Sequence, residues 1–173
     1  MDAYRPEGWH DFFLATAGAA AALTGLLFVA ISLHMRYVAV DPYFRNLARG
    51  SLLGLVSVLV ASLIVLVNQP ATWAGIELAL FAVLSIVGEG WYDVVSYRRL
   101  TGGQAGATLI RSCVGLLLAL TAFVGGLTIA FQASPGLYAI AVALILVTAW
   151  NLLNAWFLLV GVTDEEMAHQ DPT

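Results

Sequence analysis

Five runs of apolar residues, each roughly 17 to 26 residues long and almost free of charge, follow one another along the chain. At about 1.5 Å per residue, a helix of that length crosses the roughly 30 Å hydrocarbon core of a bilayer. The composition agrees, because 61% of the residues are hydrophobic and 10% are charged, against about 25% charged residues in a soluble domain. The sequence therefore predicts an all-α integral membrane protein, a bundle of five transmembrane helices.

The five predicted spans form one transmembrane domain over residues 1–163. They lie at about 12–34, 47–67, 73–96, 109–131 and 137–162, followed by an acidic tail over 164–173. The segments that join spans one to two and three to four contain most of the arginines: Arg36, Arg45, Arg49, Arg98, Arg99 and Arg111. Because positive residues stay on the cytoplasmic side, we expect the N-terminus outside the cell and the C-terminus in the cytoplasm.

Several classes of function find no support in the sequence. The net charge of −4 comes without a basic cluster, so nucleic-acid binding is not expected. The single cysteine, Cys113, can neither form an internal disulfide nor hold a metal ion by itself. A phosphate-binding glycine loop, H-E-x-x-H and G-x-S-x-G are all missing. We therefore expect no enzymatic activity, no cofactor and no metal site.

Polar residues gather at one depth inside the predicted membrane domain. Glu89 and Asp93 are four residues apart and share one face of the third span, and Asn151 and Asn154 reach about the same depth on the fifth. A charged carboxylate facing lipid costs several kcal/mol, so Glu89 should face protein or water. Residues of the other spans meet this level at the cytoplasmic end: His34, Arg49, Ser57, Arg111, Ser112 and Cys113.

Two interpretations of this polar cluster stay open. In the first, it is a cation or proton site, because carboxylate and carbonyl oxygens suit hard cations and a carboxyl group in the membrane can exchange protons. In the second, Arg49 or Arg111 pairs with Glu89 or Asp93, and the amides join helices by modest hydrogen bonds. Glu77, near the outer end of the third span, is interpreted as an interfacial acid.

The last four spans show signs of an internal repeat of two helical hairpins. Each hairpin begins near an arginine and turns at a proline, Pro70 or Pro135. Glu89-Gly90-Trp91 aligns with Asn154-Ala155-Trp156 at the same distance after the proline. A tandem parallel repeat, related by an axis along the membrane normal, would give this pattern. Apolar helices of similar length also align by accident, so both explanations remain.

The first span is rich in small residues on every face. Gly18-x-x-x-Ala22 and Ala21-x-x-x-Gly25 are patterns that allow helices to approach closely, and Gly125-Gly126 on the fourth span is similar. We expect protein around the first span, either within the subunit or at a subunit interface. Because so small a bundle seldom encloses a pathway alone, we also expect a homo-oligomer.

The first span also carries a resemblance. The stretch from Trp9-His10-Asp11-Phe12-Phe13 to Ala22-Leu23-Thr24-Gly25-Leu26-Leu27-Phe28-Val29-Ala30-Ile31-Ser32-Leu33 resembles the opening of small, uncharacterised actinobacterial multi-span membrane proteins. Some of these are named as modulators of a membrane protease. The resemblance implies a bacterial inner membrane and leaves the function open.

Two hypotheses for the function follow. The chain is either a small channel or transporter component for cations or protons, with Glu89, Asp93, Asn151 and Asn154 as the site, or a non-catalytic accessory subunit of a larger membrane complex. The first depends on the polar cluster. The second depends on the small-residue first span, the short loops and the resemblance.

Overall fold

The computed structural model describes the backbone of residues 6–97, 103–131 and 136–170, and the side chains over 8–36, 38–91, 106, 108–131 and 136–160. Within these residues, a short 3₁₀ helix, Pro6–Trp9, leads into six α-helices: α1 His10–Leu33, α2 Met35–Val40, α3 Pro42–Leu66, α4 Ala71–Tyr97, α5 Gly103–Ala130 and α6 Gly136–Gln170. Five of them, α1 and α3 to α6, are long and apolar enough to cross a membrane. The prediction of an all-α five-helix bundle is therefore confirmed, and the chain is a multi-pass membrane protein.

The structure contains more helix at the arginine-bearing end than the predicted spans do. The stretch between the first two spans forms α2, and α3 already begins at Pro42. The side chain of Asp41 caps α3 by accepting a hydrogen bond from the backbone N–H of Tyr43 at 2.7 Å, and proline suits the first helical position. Arg45 therefore lies on the first turn of α3 rather than in a loop, and Arg49 lies one turn further along the helix. At the other end of the chain, α6 continues through the predicted acidic tail to Gln170.

Helix α1 lies on the outside of the bundle and packs mainly against α3. Its buried residues, Phe13, Ala17, Ala20 and Leu27, form one stripe at helical spacing. At the start of α1, the ring of Trp9 meets the ring of Tyr138 edge to face at 4.7 Å, which ties this end to α6. Most of the other α1 residues are exposed, so protein of the same subunit does not surround this span, and the alternative of a subunit interface stays a prediction.

Helices α4 and α5 cross closely enough for their backbones to touch. Gly75 and Ala79 on α4 face Gly126 and Ala130 on α5, and a Cβ added to Gly126 would lie 2.8 Å from the backbone nitrogen of Ala79. Small residues at a spacing of four allow such backbone contact between membrane helices. The sequence pointed to Gly125-Gly126 for close packing, and the structure adds Gly75 and Ala79 as the opposing surface.

The packing of the other helices leaves a space near the arginine-bearing end. α4 packs chiefly on α5, while α6 packs on both α5 and α3. α3 and α4 contact each other much less, although a short turn joins them. The space among these four helices contains the candidate site.

Candidate functional site

A partly open cavity of about 180 Å³ lies among α3, α4, α5 and α6. Its wall toward the middle of the bundle is apolar, and its wall at the arginine-bearing end is polar. All four helices contribute side chains with polar groups: Tyr43, Asn46, Arg49, Ser51, Ser57, Ser85, Glu89, Thr108, Arg111, Ser112, Trp150, Asn151 and Asn154. We call this space the central cavity.

The structure brings most of the predicted site residues to the central cavity. Glu89, Asn151, Asn154, Arg49, Arg111, Ser57 and Ser112 all line it. Asp93 belongs to α4, but its side chain lies outside the described residues. Cys113 is at the same depth but exposed. The Nδ1 atom of His34 lies 3.0 Å from the carbonyl oxygen of Ala30 in its own helix.

Glu89 reaches from α4 toward α5. Its Oε2 atom lies 3.7 Å from the point where a Cβ on Gly115 would be, so the carboxyl group is within van der Waals distance of α5. Glu89 is half-buried, and both Glu89 and Arg49 have an interaction partner in the chain. Among the described residues, Glu89 is the carboxylate that lines the central cavity. The same part of the chain contains no group of three or more His, Cys, Asp or Glu residues that could hold a metal ion.

The two asparagines of α6 are buried against the neighbouring helices. Asn151 is 5% exposed and donates from Nδ2 to the carbonyl oxygen of Val147 at 2.8 Å. A Cβ on Gly54 of α3 would overlap the amide group of Asn151. Because Gly54 has no side chain, the amide of Asn151 fits between α3 and α6, and Asn151 also lines the central cavity. Asn154, one turn further along α6, is 7% exposed.

Arg111 connects α5 to the start of α3. Its Nη1 atom donates to the hydroxyl oxygen of Tyr43 at 2.8 Å, and its guanidinium carbon lies 5.2 Å from the centre of the Tyr43 ring. Both contacts are favourable, since a cation is attracted to the face of an aromatic ring. The sequence did not reveal this role of Tyr43. No local signal could show it, because the partners are 68 residues apart.

Ser51 is the second site residue that the sequence did not reveal. It is 1% exposed, and among the described residues its Oγ is the buried side-chain atom without a hydrogen-bond partner. Ser62 on the same helix instead donates to the carbonyl oxygen of Val58 at 2.8 Å. Since buried polar groups are nearly always paired, an unpaired hydroxyl in a cavity wall suggests a partner that enters from the cavity.

The two halves of the proposed repeat place equivalent residues alike. Glu89 and Asn154 both line the central cavity. Trp91 and Trp156, two residues further on, are 77% and 64% exposed. The hairpins differ in packing, because α5 and α6 contact each other more than α3 and α4 do. The side-chain directions agree with a repeat in α4 and α6, and the repeat itself stays a prediction.

Comparisons with protein-family models, with curated proteins and with solved structures gave no match for this chain.

Proposed function

We propose that this polytopic membrane protein is a small channel or transporter component, and that Glu89 is its proton-binding group. The observation that carries the proposal is the position of Glu89 in the wall of a partly open cavity between membrane-spanning helices. Ionisable side chains at such positions are rare and are typical of ion pathways and proton relays. Asn151 and Asn154 complete the polar wall, and Asp93 is a further candidate one turn along α4.

A proton fits the central cavity better than a metal cation does. Calcium and magnesium take six or more oxygen ligands, whereas a proton needs one carboxylate. The described lining offers one carboxylate, Glu89, beside two guanidinium groups, Arg49 and Arg111. One carboxylate is enough to bind a proton and too few to replace the ligands of a metal cation. Of the two ions that the sequence suggested, we therefore propose the proton.

The arginines also support an orientation in the membrane. Arg36, Arg45, Arg49 and Arg111 belong to the same end of the bundle in the helical topology, whereas Arg98 and Arg99 lie outside the described residues. By the positive-inside rule, we propose that this end faces the cytoplasm of a bacterial cell, with the N-terminus outside and the C-terminus inside. The central cavity would then be open to protons from the cytoplasmic side.

Proton flux in proteoliposomes tests the function. A potassium diffusion potential would drive protons across liposomes that contain a pH-sensitive dye, with wild type and Glu89→Gln compared at equal protein content. We expect Glu89→Gln to reduce the flux by about tenfold or more, the usual scale for losing a positioned proton-transfer group. Glu77→Gln is the matched control, because Glu77 is exposed near the far end of the same helix, where it accepts a hydrogen bond from Gln69 at 2.9 Å. Equal flux in wild type and Glu89→Gln, or none in wild type, contradicts the proposal.

The exposed face of α1 favours a second candidate, a non-enzymatic accessory subunit. Gly18, Ala22 and Gly25 are exposed, and a Cβ added at Gly18 or Gly25 would meet nothing within 4 Å. Such a face allows a helix of another chain to approach closely. That chain would be a second copy, giving a homo-oligomer, or a subunit of a larger membrane complex. The resemblance of the first span to modulators of a membrane protease belongs to the latter alternative.

The mass of the particle in nanodiscs, together with co-purification after crosslinking in cells, separates these alternatives. A multiple of the chain mass, reduced to one by Gly18→Leu, supports the homo-oligomer. A crosslinked product with a different membrane protein supports the accessory role. Gly88→Leu is the control, because Gly88 is also exposed with nothing within 4 Å but lies on α4. A strictly monomeric particle without a crosslinked partner contradicts both.

A further inference from the structure

We propose that the central cavity binds a small organic anion, a monocarboxylate with a short apolar tail, and that the binding of this anion is coupled to the binding of the proton. This inference rests on the proposed function, because it takes the cavity around Glu89 as the transport site. It adds the chemical class of the solute. Charge, an unpaired hydroxyl group and the shape of the apolar wall support it independently.

The charge of the described lining is positive. Two guanidinium groups, Arg49 on α3 and Arg111 on α5, stand against one carboxylate, Glu89 on α4. Tyr43 is a further titratable group in the lining, α6 contributes amides and an indole, and the Asp93 side chain lies outside the described residues. Arg49 and Glu89 already have partners in the chain, so an anion would be attracted by the sum of charges and bound by the donors of Arg111. The formal sum of plus one suits a monovalent anion.

Arg111 is held in a position that suits a carboxylate. Its hydrogen bond to Tyr43 uses one of the five N–H donors of a guanidinium group. The contact with the Tyr43 ring fixes the guanidinium plane further. A guanidinium group held in place binds a carboxylate with two parallel hydrogen bonds, which are stronger than bonds between neutral groups.

Ser51 provides a second and independent observation. Several serine and threonine hydroxyls in these helices donate to a carbonyl of their own helix, as Ser62 and Thr148 do at 2.8 Å. The hydroxyl of Ser51 is buried, lines the central cavity and has no partner among the described residues. A ligand oxygen in the cavity would accept its hydrogen bond.

The apolar wall sets the size of the rest of the ligand. Phe81, Leu144 and Val147 line the cavity on the side away from the arginines. The volume of about 180 Å³ is slightly larger than the roughly 150 Å³ of an apolar cavity that holds benzene. A ligand of the size of benzoate or a short fatty acid therefore fits, with the carboxylate toward Arg111 and the tail toward Leu144.

The anion and the proton would stabilise each other in the central cavity. Protonation of Glu89 removes one negative charge and raises the formal sum of the described lining from plus one to plus two. Binding a monocarboxylate anion returns it to plus one. Because opposite charges attract each other more strongly inside a protein than in bulk water, each ligand favours the binding of the other. The binding of the proton and the binding of the monocarboxylate are therefore coupled at this site.

Ligand binding to the full chain in nanodiscs of neutral lipid tests the proposal. Saturation-transfer NMR would compare benzoate with two probes of similar shape, the neutral benzamide and the cationic benzylamine. We expect benzoate to bind about tenfold more tightly than benzamide, the difference that one charge-assisted hydrogen bond makes. Benzylamine should bind more weakly than both. Equal binding of benzoate and benzamide, or a preference for benzylamine, overturns the proposal.

Two variants locate the binding. Arg111→Gln should weaken benzoate by about tenfold or more and leave benzamide little changed. Ser51→Ala should weaken benzoate by a few fold, while Ser62→Ala, whose hydroxyl is used within its own helix, should leave it unchanged. If Arg111→Gln does not fold, Ser51→Ala and the comparison of the three probes on wild type still test whether the cavity binds a monocarboxylate. Benzoate binding that neither variant changes overturns the assignment to this cavity.

The failures of the two proposals are distinguishable. Proton flux that depends on Glu89 without benzoate binding would overturn the anion and leave the proton function standing. Benzoate binding without proton flux would overturn the proton function alone. A membrane lipid could also supply an anionic group, so the binding is repeated in nanodiscs with phosphatidylglycerol. An affinity for benzoate within about threefold of that in neutral lipid supports a solute from water, because this difference is smaller than the contribution of one hydrogen bond. Loss of benzoate binding in phosphatidylglycerol identifies the lipid headgroup as the occupant and overturns the proposal.

Discussion

Nη1 of Arg111 donates to the Tyr43 hydroxyl at 2.8 Å, and this contact joins α5 to the first turn of α3 beside the central cavity. The two residues are 68 positions apart in the chain. The contact orients a cation at the polar wall of the cavity. It also holds together two helices that are not consecutive in the chain, so its removal should be measurable as a loss of stability.

Tyr43→Phe tests this contact. The ring remains and the acceptor is removed, so the free energy of unfolding should fall by about 1 to 2 kcal/mol, as for a hydrogen bond to a charged group at a half-buried site. Unfolding by sodium dodecyl sulfate in mixed micelles measures it. Tyr138→Phe is the control, because Tyr138 is 65% exposed at the other end of the bundle. Equal stability of Tyr43→Phe and wild type would show that the hydroxyl contributes little.

Gly54→Ala should destabilise the bundle because its Cβ would overlap the amide of Asn151. Forcing extra atoms into a packed contact costs about 1 to 3 kcal/mol. In an Asn151→Ala background the same substitution should be neutral or slightly stabilising, because alanine favours a helix over glycine by up to about 1 kcal/mol. A double-mutant cycle of unfolding free energies measures the coupling. Gly50→Ala, with nothing within 4 Å, is the matched control, and additive effects would contradict the predicted overlap.

Gly126→Ala should weaken the crossing of α4 and α5. Its new Cβ would lie 2.8 Å from the backbone nitrogen of Ala79 and 2.9 Å from the carbonyl oxygen of Gly75. Backbone atoms cannot move aside as a side chain can, so we expect a loss of about 1 to 3 kcal/mol. Gly88→Ala should not destabilise, because it meets nothing within 4 Å. A stable Gly126→Ala would mean that the helices cross less closely than described.

Ser51→Ala should stabilise the protein without a ligand. Its buried hydroxyl has no partner among the described residues, so removal eliminates a desolvation cost of about 1 kcal/mol or more. Ser62→Ala should instead lower the free energy of unfolding by about 1 kcal/mol, because Ser62 is fully buried and its hydroxyl donates to the carbonyl oxygen of Val58. Both are measured by unfolding in mixed micelles. A Ser51→Ala variant less stable than wild type would indicate a hydrogen bond within the protein.

Much of the site could be predicted from helix geometry. A rise of about 1.5 Å per residue places residues of known spans at known depths, and this brought Glu89, Asn151, Asn154 and the arginines to one level. Depth does not determine which way a side chain faces. Cys113 shares the depth of Ser112, yet it is exposed while Ser112 lines the cavity.

The sequence did not determine how each helix is rotated about its axis, or which residues far apart in the chain contact each other. The spans are apolar on nearly all faces, so hydropathy gives little information on which face packs inside. The sequence therefore did not show that most of α1 is exposed, or that Ser51 is enclosed. The start of α3 did have a local signal, the Asp41-Pro42 pair at a helix N-terminus. The pairing of Arg111 with Tyr43 had none.

The central claim is that Glu89 takes up and releases protons through a cavity that water enters. Infrared difference spectroscopy on the protein in nanodiscs tests it directly, because a protonated carboxyl group has a separate carbonyl band that shifts in deuterated water. We expect a band that appears on acidification, shifts within seconds of exposure to deuterated water, and is missing in Glu89→Gln but present in Glu77→Gln. A Glu89 band that does not titrate, or that shifts only over hours, would contradict the claim.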